Sequence, residues 1–512
     1  MSARADGFRV LTADLGGSAL SRALRAREAP ADWSSIVPAD DRAWRARATA
    51  TAAGHTGWLE RLAPAFGTGA ALLGPVAEGG VVITTGQQPG LFGGPIYTLA
   101  KALSALAMSE AHERATGVPT RPVFWAATDD ADFAEAASIA VVGPRGLDTL
   151  TLSATEALDA VPLAFRALGH DVDALRARLA AACGSLADER VMRAAAAFRA
   201  GATVGAAYLA LMRALLEPLG IAVLDAAHPA VGAATRPLMR AALAAAPGVQ
   251  EALVARGAAL SAAGFEPPVA VDRALSLVFA WEGSADAPRK RRLTIDEALA
   301  AGDPAQRLSP NVLLRPVMEA WMLPTVAYVA GPGELAYFSQ VSAVADALAL
   351  PRPLALPRWS GLIVPADVED ELASRGWSLE HLRDPHAAEN AIAAAAVPAE
   401  IIAMFARLRT SVASELAALD AILPEPAVAG ARSDLARRLD RIERRVRGVV
   451  KHRERALLQR IARVRAVVHP NGTPQERTLS FVPFVSRYGE ALIAAQLQAA
   501  RGHAERWWPV GP

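Results

Sequence analysis

The sequence predicts an α/β protein with a parallel β-sheet core, two insertions and a C-terminal helical coiled coil. Three observations support this prediction. Short apolar or β-branched runs alternate with helical segments, which is typical of a parallel sheet covered on both faces. Unusual polar clusters follow nearly every predicted strand, where such sheets bind their ligands. Late in the chain, apolar residues recur at spacings of three and four, as in a coiled coil.

Length and composition exclude several classes of protein. The 512 residues suit a few domains of roughly 100–200 residues each. A hydrophobic fraction of 52% and a charged fraction of 21% exclude global disorder. The net charge of +1 gives no reason to expect a nucleic-acid partner. The single cysteine, Cys183, excludes an intramolecular disulfide and a cysteine-rich metal site. The absence of a signal-peptide pattern and of a long apolar run predicts a soluble cytoplasmic protein with no membrane partner.

The core strands follow from short apolar runs bounded by turn residues. Residues 1–80 are rich in Ala and Arg and predict helices without a chemical motif. An amphipathic helix, about Ile96–Arg114, follows the first strand and completes one strand–loop–helix unit. The predicted strands are Val81–Thr85, Pro122–Thr128, Ile221–Leu224, Thr325–Ala330 and Leu354–Pro357.

The predicted organisation divides the chain at changes of pattern. The second insertion is expected to contain strands at Val269–Asp272 and Ser276–Trp281 and a basic return at Arg289–Arg292. In chain order the segments are residues 1–142 (N-terminal helices and first half of the core), 143–215 (mainly helical insertion), 216–244 (core), 245–305 (mixed α/β insertion), 306–395 (second half of the core), 396–468 (antiparallel coiled coil) and 469–512 (a segment packing on the core).

The coiled coil is predicted from two apolar stripes joined by the proline-containing loop Leu423–Gly430. The second helix is rich in Arg, which indicates a solvated face; a nucleic-acid grip is the alternative, without aromatic residues to support it. The first stripe is Leu408, Val412, Leu416 and Leu419; the second is Leu435, Leu439, Ile442, Val446 and Val449, continued by Leu457, Ile461, Val464 and Val468.

A glycine-rich loop follows the first predicted strand. Its four glycines allow a sharp turn that aims backbone N–H groups at an anion, and the next helix adds its positive N-terminal end. A tight turn without a ligand is the alternative. Lys101 lies about two turns into that helix, so we expect it to be too deep to reach the loop. The candidate nucleotide- or phosphate-binding residues are Thr85, Gly86, Gln87, Gln88, Gly90, Gly93 and Gly94.

An acidic cluster follows the second strand. Asp129, Asp130 and Asp132, with Glu135 nearby, are carboxylates that can hold Mg²⁺, orient an amine or act as a general base. For Asp132, capping of a helix N-terminus is an equal alternative. No histidine pair has the spacing of a metal-binding motif, so no protein-held metal centre is predicted.

Candidate substrate-binding residues flank the fourth strand and end the fifth. Arg315 can hold a carboxylate or phosphate bidentately. Glu334 either caps a helix or binds an amine or hydroxyl group of a ligand. For each residue alone, a structural role is the alternative. The set is Asn311, Arg315, Gly333, Glu334, Tyr337, Gln340 and Arg358.

Lysine and asparagine are unusually rare. Three of the 53 basic residues are lysines. A GC-rich coding sequence accounts for the scarcity, and it makes a surviving Lys or Asn a weak candidate for chemistry. So few lysines also mean that phosphate charge must be met mainly by backbone amides, Arg or a metal. The residues are Lys101, Lys290, Lys451, Asn311, Asn390 and Asn471.

Five strings resemble the family of the bacillithiol biosynthesis cysteine-adding enzyme BshC. They occur in the expected order between about residues 81 and 489 and are Thr85–Thr98, Pro122–Trp125, Ser309–Pro316, Gly331–Phe338, and Gln475–Arg477 with Tyr488-Gly489. The resemblance implies a Rossmann-like core related to class I aminoacyl-tRNA synthetases, with connecting-peptide insertions and a coiled coil that forms a homodimer. It also implies the last step of bacillithiol synthesis, in which L-cysteine is joined to malyl-glucosamine.

The leading hypothesis under this resemblance is an ATP-dependent ligase, and the acidic cluster makes Mg²⁺ a further cofactor candidate. ATP would activate the malyl carboxylate, the glycine loop would hold phosphates, and Arg315 would pair with a carboxylate. The family has a histidine where this chain has Ala131, so His228, behind the third strand, becomes a further catalytic candidate. Two alternatives stay open: a catalytically silent dimer that binds a nucleotide or thiol metabolite, and ligation of an amino acid to another acceptor.

Overall fold

The computed structural model of the chain describes residues 3–5, 7–143, 146–153, 160–184, 188–300, 306–384, 398–419, 422, 425–453 and 455–508. They form two compact units: residues 1–141, 149–365 and 476–512, and residues 142–148 and 366–475. Asn390, the predicted boundary at residue 395 and the side chain of Lys451 lie outside the described part of the chain.

The elements alternate between strands and helices through most of the first unit. None of the helices in the described ranges is long and apolar enough to cross a membrane. The strands are β1 Ala3–Ala5, β2 Phe8–Thr12, β3 Val81–Gln87, β4 Thr120–Ala126, β5 Ser138–Gly143, β6 Gly146–Thr151, β7 Ala222–Asp225, β8 Leu275–Ser284, β9 Ala287–Thr294, β10 Leu308–Pro310, β11 Thr325–Ala330, β12 Ala355–Pro357 and β13 Gly361–Pro365. The helices are α1 Ala19–Ala26, α2 Asp41–Ala53, α3 Trp58–Phe66, α4 Ile96–Thr116, α5 Phe133–Ala136, α6 Asp171–Cys183, α7 Glu189–Ala195, α8 Val204–Leu216, α9 Pro229–Ala244, α10 Ala246–Ala262, α11 Ile295–Ala300, α12 Arg315–Met322, α13 Pro332–Ala347, α14 Ala366–Ser374, α15 Ala399–Leu419, α16 Glu425–Arg453, α17 Arg455–Val468, α18 Gln475–Thr478 and α19 Val482–Ala504.

A parallel five-stranded sheet forms the core, in the spatial order β12–β11–β3–β4–β7. The prediction of these five strands and of their parallel arrangement is confirmed. Val81, Val82 and Ile83 are all fully buried, because helices cover both faces of the sheet. The strand order runs outward from β3 in both directions, so β3 and β11 flank the topological switch point, where a ligand crevice forms.

The prediction of helices in residues 1–80 is confirmed by α1, α2 and α3 but is wrong for the first residues, which form β1 and β2. β1 and β2 form a separate antiparallel sheet with β13. In β2, Phe8 and Val10 are buried while Arg9 and Leu11 are half-buried, which is the alternation expected of a strand with one covered face. The strand is only five residues long and adjoins long Ala/Arg-rich helices, so its period of two is hard to detect in the sequence.

Strands β8 and β9 of the second insertion form a three-stranded sheet with β10, in the order β10–β8–β9; β10 lies in the segment predicted as the second half of the core. Strand β8 contains the predicted strand Ser276–Trp281, and β9 contains the basic return. The predicted strand Val269–Asp272 is wrong, because this segment has no strand partner. The side-chain amide of Gln340 takes that place: its Oε1 accepts from Val269 N at 3.0 Å and its Nε2 donates to Val269 O at 2.9 Å.

Helix α4 lies between the sheet and helix α19 and is buried on most of its surface. Two of its buried serines satisfy their hydroxyl groups locally, since Ser104 and Ser109 each donate to the carbonyl oxygen four residues earlier. The helix ends at Gly117, whose φ of +69° is the left-handed conformation common at helix C-termini. This packing places the side chain of Lys101 in the protein interior.

The second unit contains the helical hairpin of the coiled coil. Arg409 on α15 pairs with Asp440 at 2.7 Å and Glu443 at 2.6 Å on α16, which joins the two helices. Helix α16 begins at Glu425, inside the predicted loop Leu423–Gly430. The prediction interprets the proline after Glu425 as a loop residue, but it lies in the first turn of the helix. Proline is tolerated there because the N–H group it lacks would have no acceptor within the helix. Residues 423 and 424 lie outside the described ranges.

The two predicted apolar stripes are only partly covered within the second unit. Leu416, Ile461, Val464 and Val468 are buried. The other part of the seam is exposed to solvent in the described residues. The exposed members, with the exposed fraction of each residue in parentheses, are Leu408 (42%), Leu419 (37%), Leu435 (38%), Ile442 (51%) and Val449 (61%).

Candidate functional site

A cavity of about 970 Å³ opens in the first unit at the carboxyl ends of β3, β4 and β11. This is the topological switch point of the parallel sheet, so the cavity lies where the strand order favours a ligand site. Its walls come from the loop after β3 (Gly86–Gln88), the acidic segment after β4 (Asp129, Asp130 and Glu135), the start of α13 (Gly331–Glu334) and the loop Gly264–Pro268.

Lys101 is the buried cation beneath this cavity. Its Nζ donates to Gly86 O, lies 3.3 Å from Gln87 Oε1 and forms a salt bridge of 2.7 Å with Glu334 Oε2. The expectation that Lys101 is too deep in its helix to reach the loop is therefore wrong. Helical side chains tilt toward the N-terminus, and the long lysine stem extends back along α4 to the end of β3.

Glu334 is held by three donors. Its Oε1 accepts from Tyr328 Oη at 2.5 Å, and its Oε2 accepts from Gly331 N at 2.7 Å as well as from Lys101. Burial favours the neutral carboxyl, but Lys101 and the two hydrogen bonds outweigh it and lower the pKa of Glu334. Burial also lowers the pKa of Lys101, and Glu334 partly offsets that effect. The capping alternative for Glu334 describes its geometry, because the carboxylate closes the first turn of α13.

Two adjacent carboxylates face the cavity after β4. Asp129 Oδ2 lies 3.6 Å from Lys290 Nζ, which also donates to Asp129 O at 2.9 Å. Asp130 Oδ2 accepts from Gln88 Nε2 at 2.6 Å, so a glutamine of the glycine-rich loop orients this carboxylate. The loop after β3 and the acidic segment after β4 are thus joined directly.

Of the other two acidic residues of this segment, Asp132 caps a helix and Glu135 faces the cavity. Asp132 Oδ1 accepts from Glu135 N at 3.1 Å and caps the short helix α5, as the capping alternative predicts. Asp132 and Ala131 do not line the cavity, whereas Glu135 does. Burial, followed by the charges of Asp132 and Asp130, raises the pKa of Glu135. The carboxylates that face the cavity are therefore Asp129, Asp130 and Glu135.

Arg315 lies at the start of α12, and the side chain of Asn311 stabilises the turn that leads into this helix. Asn311 Oδ1 accepts from the backbone N–H groups of Leu313 and Leu314, at 3.1 and 3.0 Å. Arg315 Nη1 forms a 2.5 Å salt bridge with Glu319 one turn along, so its charge is balanced inside the protein. Asn311, Arg315, Gly333 and Tyr337 all line the cavity.

Arg358 and Glu476 form a buried bidentate ion pair. The Nη1 and Nη2 atoms of Arg358 donate to the two carboxylate oxygens of Glu476, at 2.8 and 2.6 Å. Ser360 Oγ donates to the same carboxylate at 3.0 Å. Arg358 also lines the cavity, and its Nε is buried without a hydrogen-bond partner among the described residues. That donor lies 3.9 Å from the position of a Cβ on Gly331.

The glycine-rich loop has a larger structural role than predicted. Gly86, Gln87 and Gln88 line the cavity, but Gly90, Gly93 and Gly94 do not. Gly93 has a φ of +87°, and a Cβ there would come within 2.5 Å of Phe481, so only glycine fits. Thr85 Oγ1 is buried and donates to Val329 O at 2.9 Å, which ties β3 to β11. The tight-turn alternative thus describes the second half of the loop.

Two other candidates lie away from the cavity. His228 caps α9 through its Nδ1, which accepts from Ala230 N at 3.1 Å. Its position does not support the role of a substitute catalytic histidine. Gln340 is fully buried, and both its amide atoms are used by the backbone of Val269. No substrate contact is open to these Gln340 atoms while that pairing holds.

The cavity also contains residues outside the predicted site. Lysine rarity is the signal that could have identified two of them, since two of the three lysines line the cavity. Two others lie inside strings that carry the family resemblance, and Glu135 lies beside the predicted acidic triplet. These residues are Tyr97, Lys101, Glu135, Lys290 and Arg477.

A parallel sheet with a charged crevice at its switch point, two inserted segments and a helical hairpin defines a Rossmann-like protein. Comparison with known families then gives its particular class. Residues 75–359 match the family description "Bacillithiol biosynthesis BshC, N-terminal Rossmann-like domain". Residues 361–508 match "Bacillithiol biosynthesis BshC, C-terminal coiled-coil domain". The chain belongs to the BshC family.

Individual relatives agree with this assignment along most of the chain. A protein of Solibacter usitatus named "Putative cysteine ligase BshC" is 32% identical over 453 residues, covering 82% of this chain and 83% of the relative. The protein of the same name from Koribacter versatilis is 30% identical, covering 83% and 82%. The one from Geobacillus thermodenitrificans is 28% identical, covering 80% and 81%.

We predict that Lys101→Met destabilises the fold by about 3–5 kcal/mol at neutral pH, because Glu334 loses its buried cation. Without Lys101 the pKa of Glu334 rises, so its carboxyl becomes neutral on acidification. The difference in the free energy of unfolding between wild type and variant therefore shrinks toward about pH 4.5. Urea unfolding followed by circular dichroism at both pH values measures this difference.

Arg352→Met is the matched control. Arg352 pairs with Asp346 at the surface, where loss of a pair costs about 1 kcal/mol or less. A Lys101→Met protein as stable as the control variant at neutral pH would contradict the assigned role of the buried pair.

Proposed function

We propose that the chain is a ligase that joins L-cysteine to malyl-glucosamine in the last step of bacillithiol biosynthesis, with ATP activating the malyl carboxylate. The observation that carries this proposal is the cavity at the switch point, lined by charges of both signs, in a chain of the BshC family. The name of the relatives, cysteine ligase, supports the reaction class. The proposed setting is the cytoplasm, where ATP and free cysteine are present.

The three carboxylates that face the cavity, Asp129, Asp130 and Glu135, form an acidic wall that suits the reacting amine. A cysteine amine attacks only as the free base, so its ammonium form must lose a proton to a nearby acceptor. Asp130 is oriented toward the cavity by Gln88, and Glu135 adds a carboxylate of raised pKa on the same wall. The C–N bond forms as the activated acyl–oxygen bond breaks, and the amine proton passes to a carboxylate of this wall.

The start of α13 suits a phosphate. Arg358 Nε is a buried donor without a partner in the described part of the chain, and it lies beside Gly331 at the N-terminus of this sixteen-residue helix. ATP would convert the malyl carboxylate to an acyl phosphate with release of ADP, or to an acyl adenylate with release of pyrophosphate. Because Lys101, Lys290 and Arg315 are already paired with carboxylates, phosphate charge favours entry together with Mg²⁺.

The main alternative is a catalytically silent protein that binds a nucleotide or thiol metabolite. Ala131 in place of the family histidine is the observation that favours it. Ala131 does not line the cavity, whereas the flanking Asp130 does, so the carboxylate wall stands without the imidazole. A large gain in turnover from Ala131→His would show that the missing imidazole limits catalysis.

The turnover prediction uses malyl-glucosamine, L-cysteine and ATP, with the amide product detected by mass spectrometry. We expect wild-type protein to form the product while consuming ATP, and Asp130→Asn to lower kcat about 10²- to 10⁴-fold through loss of the proton acceptor. Release of ADP or of AMP distinguishes the acyl phosphate from the adenylate.

Asp132→Asn is the matched control for this experiment, because it makes the same chemical change two residues away in a helix cap that asparagine also fills. It should keep most of the wild-type kcat. Product formation without ATP consumption would refute ATP activation, and an absence of product from wild type would favour the silent alternative.

We also propose a homodimer formed through the coiled coil. Leu435, Ile442 and Val449 are exposed and lie seven residues apart on α16, so they form one apolar line along the helix. Solvent-facing seam residues at this spacing suit a second copy of the same helix. The proposal agrees with the dimer that the sequence resemblance implies.

We predict that Ile442→Glu shifts the protein from dimer to monomer, because it places a charge in the middle of this line. Light scattering after size-exclusion chromatography measures the mass. Arg441→Glu, one position along and off the line, should leave the mass unchanged. A wild-type monomer, or an Ile442→Glu protein that remains dimeric, would contradict the proposed interface.

A further inference from the structure

Most of the cations that line the cavity are already paired with protein carboxylates. Each pair removes a positive charge that a ligand could otherwise meet. The pairs are Lys101–Glu334 at 2.7 Å, Lys290–Asp129 at 3.6 Å, Arg315–Glu319 at 2.5 Å and Arg358–Glu476 at 2.6 Å. A charged ligand must therefore find its partners among the remaining groups.

Arg477 is the exception among these cations. It lines the cavity, and its guanidinium has no hydrogen bond or ion pair with any residue that the structure describes. The preceding residue, Glu476, is fixed by the buried pair with Arg358, so the backbone that carries Arg477 is held in place. A guanidinium offers two parallel donors, which match the two oxygens of a carboxylate.

Glu135 is the complementary group on the acidic wall. Its backbone N–H is held by the Asp132 cap, which positions the residue, while its carboxylate has no partner within the described ranges. Burial and the neighbouring Asp132 and Asp130 raise its pKa, so its ionised form is under-stabilised in the free protein. A ligand ammonium would supply the missing positive charge.

Tyr97 lines the same cavity as Arg477 and Glu135. Its Oη accepts from Gln87 Nε2 at 3.1 Å, and its ring lies 5.7 Å from the guanidinium carbon of Arg358. Burial and the charge of Glu135 raise the pKa of Tyr97 to about 12, while Arg477 opposes the shift. Both charges thus act on one phenol, which stays protonated and keeps its O–H free to donate.

We propose that Glu135, Tyr97 and Arg477 form the subsite for a free α-amino acid. Arg477 binds the α-carboxylate, Tyr97 Oη donates to the same carboxylate, and Glu135 binds the α-ammonium group. The ammonium then lies on the wall that also carries Asp130, the proposed proton acceptor. This assignment rests on the proposed ligase function, in which the amino acid is L-cysteine.

The test measures the binding of three ligands to two variants. L-cysteine carries both an ammonium and a carboxylate group, whereas the other two ligands each lack one of these groups. Arg477→Met should weaken L-cysteine binding about 10- to 100-fold in titration calorimetry, the loss expected for a charge-assisted hydrogen-bonded contact. It should leave the affinity for cysteamine, which has no carboxylate, unchanged. Glu135→Gln should weaken both L-cysteine and cysteamine and spare N-acetyl-L-cysteine, which has no ammonium.

The matched controls are Arg501→Met and Glu110→Gln, the two members of a surface pair outside the cavity. Neither should change any of the three affinities. In steady-state turnover, Arg477→Met should raise KM for L-cysteine more than it lowers kcat. Variants that bind all three ligands like wild type, or lose all three equally, would overturn the subsite.

The outcomes also separate the subsite from the proposed function. Binding of another amino acid in place of cysteine, with the same dependence on Arg477 and Glu135, would support the subsite and refute the cysteine ligase. Wild-type cysteine ligation with an unchanged KM in both variants would support the ligase and refute the subsite. Wild-type protein that neither ligates cysteine nor binds any of the common amino acids would overturn both.

Discussion

A buried lysine connects the parts of the fold that create the cavity. Lys101 extends from α4 to the end of β3 at Gly86 and pairs with Glu334 at the start of α13, which follows β11. In a doubly wound sheet these two strand ends diverge at the switch point, and nothing in the backbone ladder holds the loops beyond them together. The ion pair supplies that connection. Because Glu334 also accepts from Tyr328 and Gly331 N, the first turn of α13 and the adjacent strand share one polar network.

Ion pairs within the protein also determine which charged side chains of the cavity are left for a ligand. Arg315 and the two Nη atoms of Arg358 are each balanced by a buried carboxylate, so these groups fix the shape and rigidity of the cavity lining. Under the proposed subsite, discrimination between ligands depends on the few groups left unpaired, above all Arg477 and Glu135. We therefore expect the crevice to favour substrates that carry both an amine and a carboxylate. Highly charged phosphates would in turn need the helix N-terminus and an accompanying cation.

The sequence predicted the sheet well because its strands are continuous apolar runs, which a parallel sheet buried on both faces requires. The side chains of the site were harder to predict, because their roles depend on partners distant in the chain. Asp132 and Asp130 carry the same carboxylate two residues apart, yet one caps a helix and the other faces the cavity. Gln340 lies less than two turns beyond Glu334, but its amide is hydrogen-bonded to a loop some 70 residues earlier. Arg477 lies near the end of the chain, and only the tertiary fold brings it to the crevice.

The central claim is that Lys101 and Glu334 act as one energetic unit across the switch point, and a double-mutant cycle tests it most directly. The free energies of unfolding of wild type, Lys101→Met, Glu334→Gln and the double variant give the coupling between the two side chains. We expect a coupling of about 2–3 kcal/mol, at the upper end for directly interacting residues, with the double variant less unstable than the sum of the single effects. Additive effects, within about 0.5 kcal/mol, would show that the two residues contribute independently and would contradict this account.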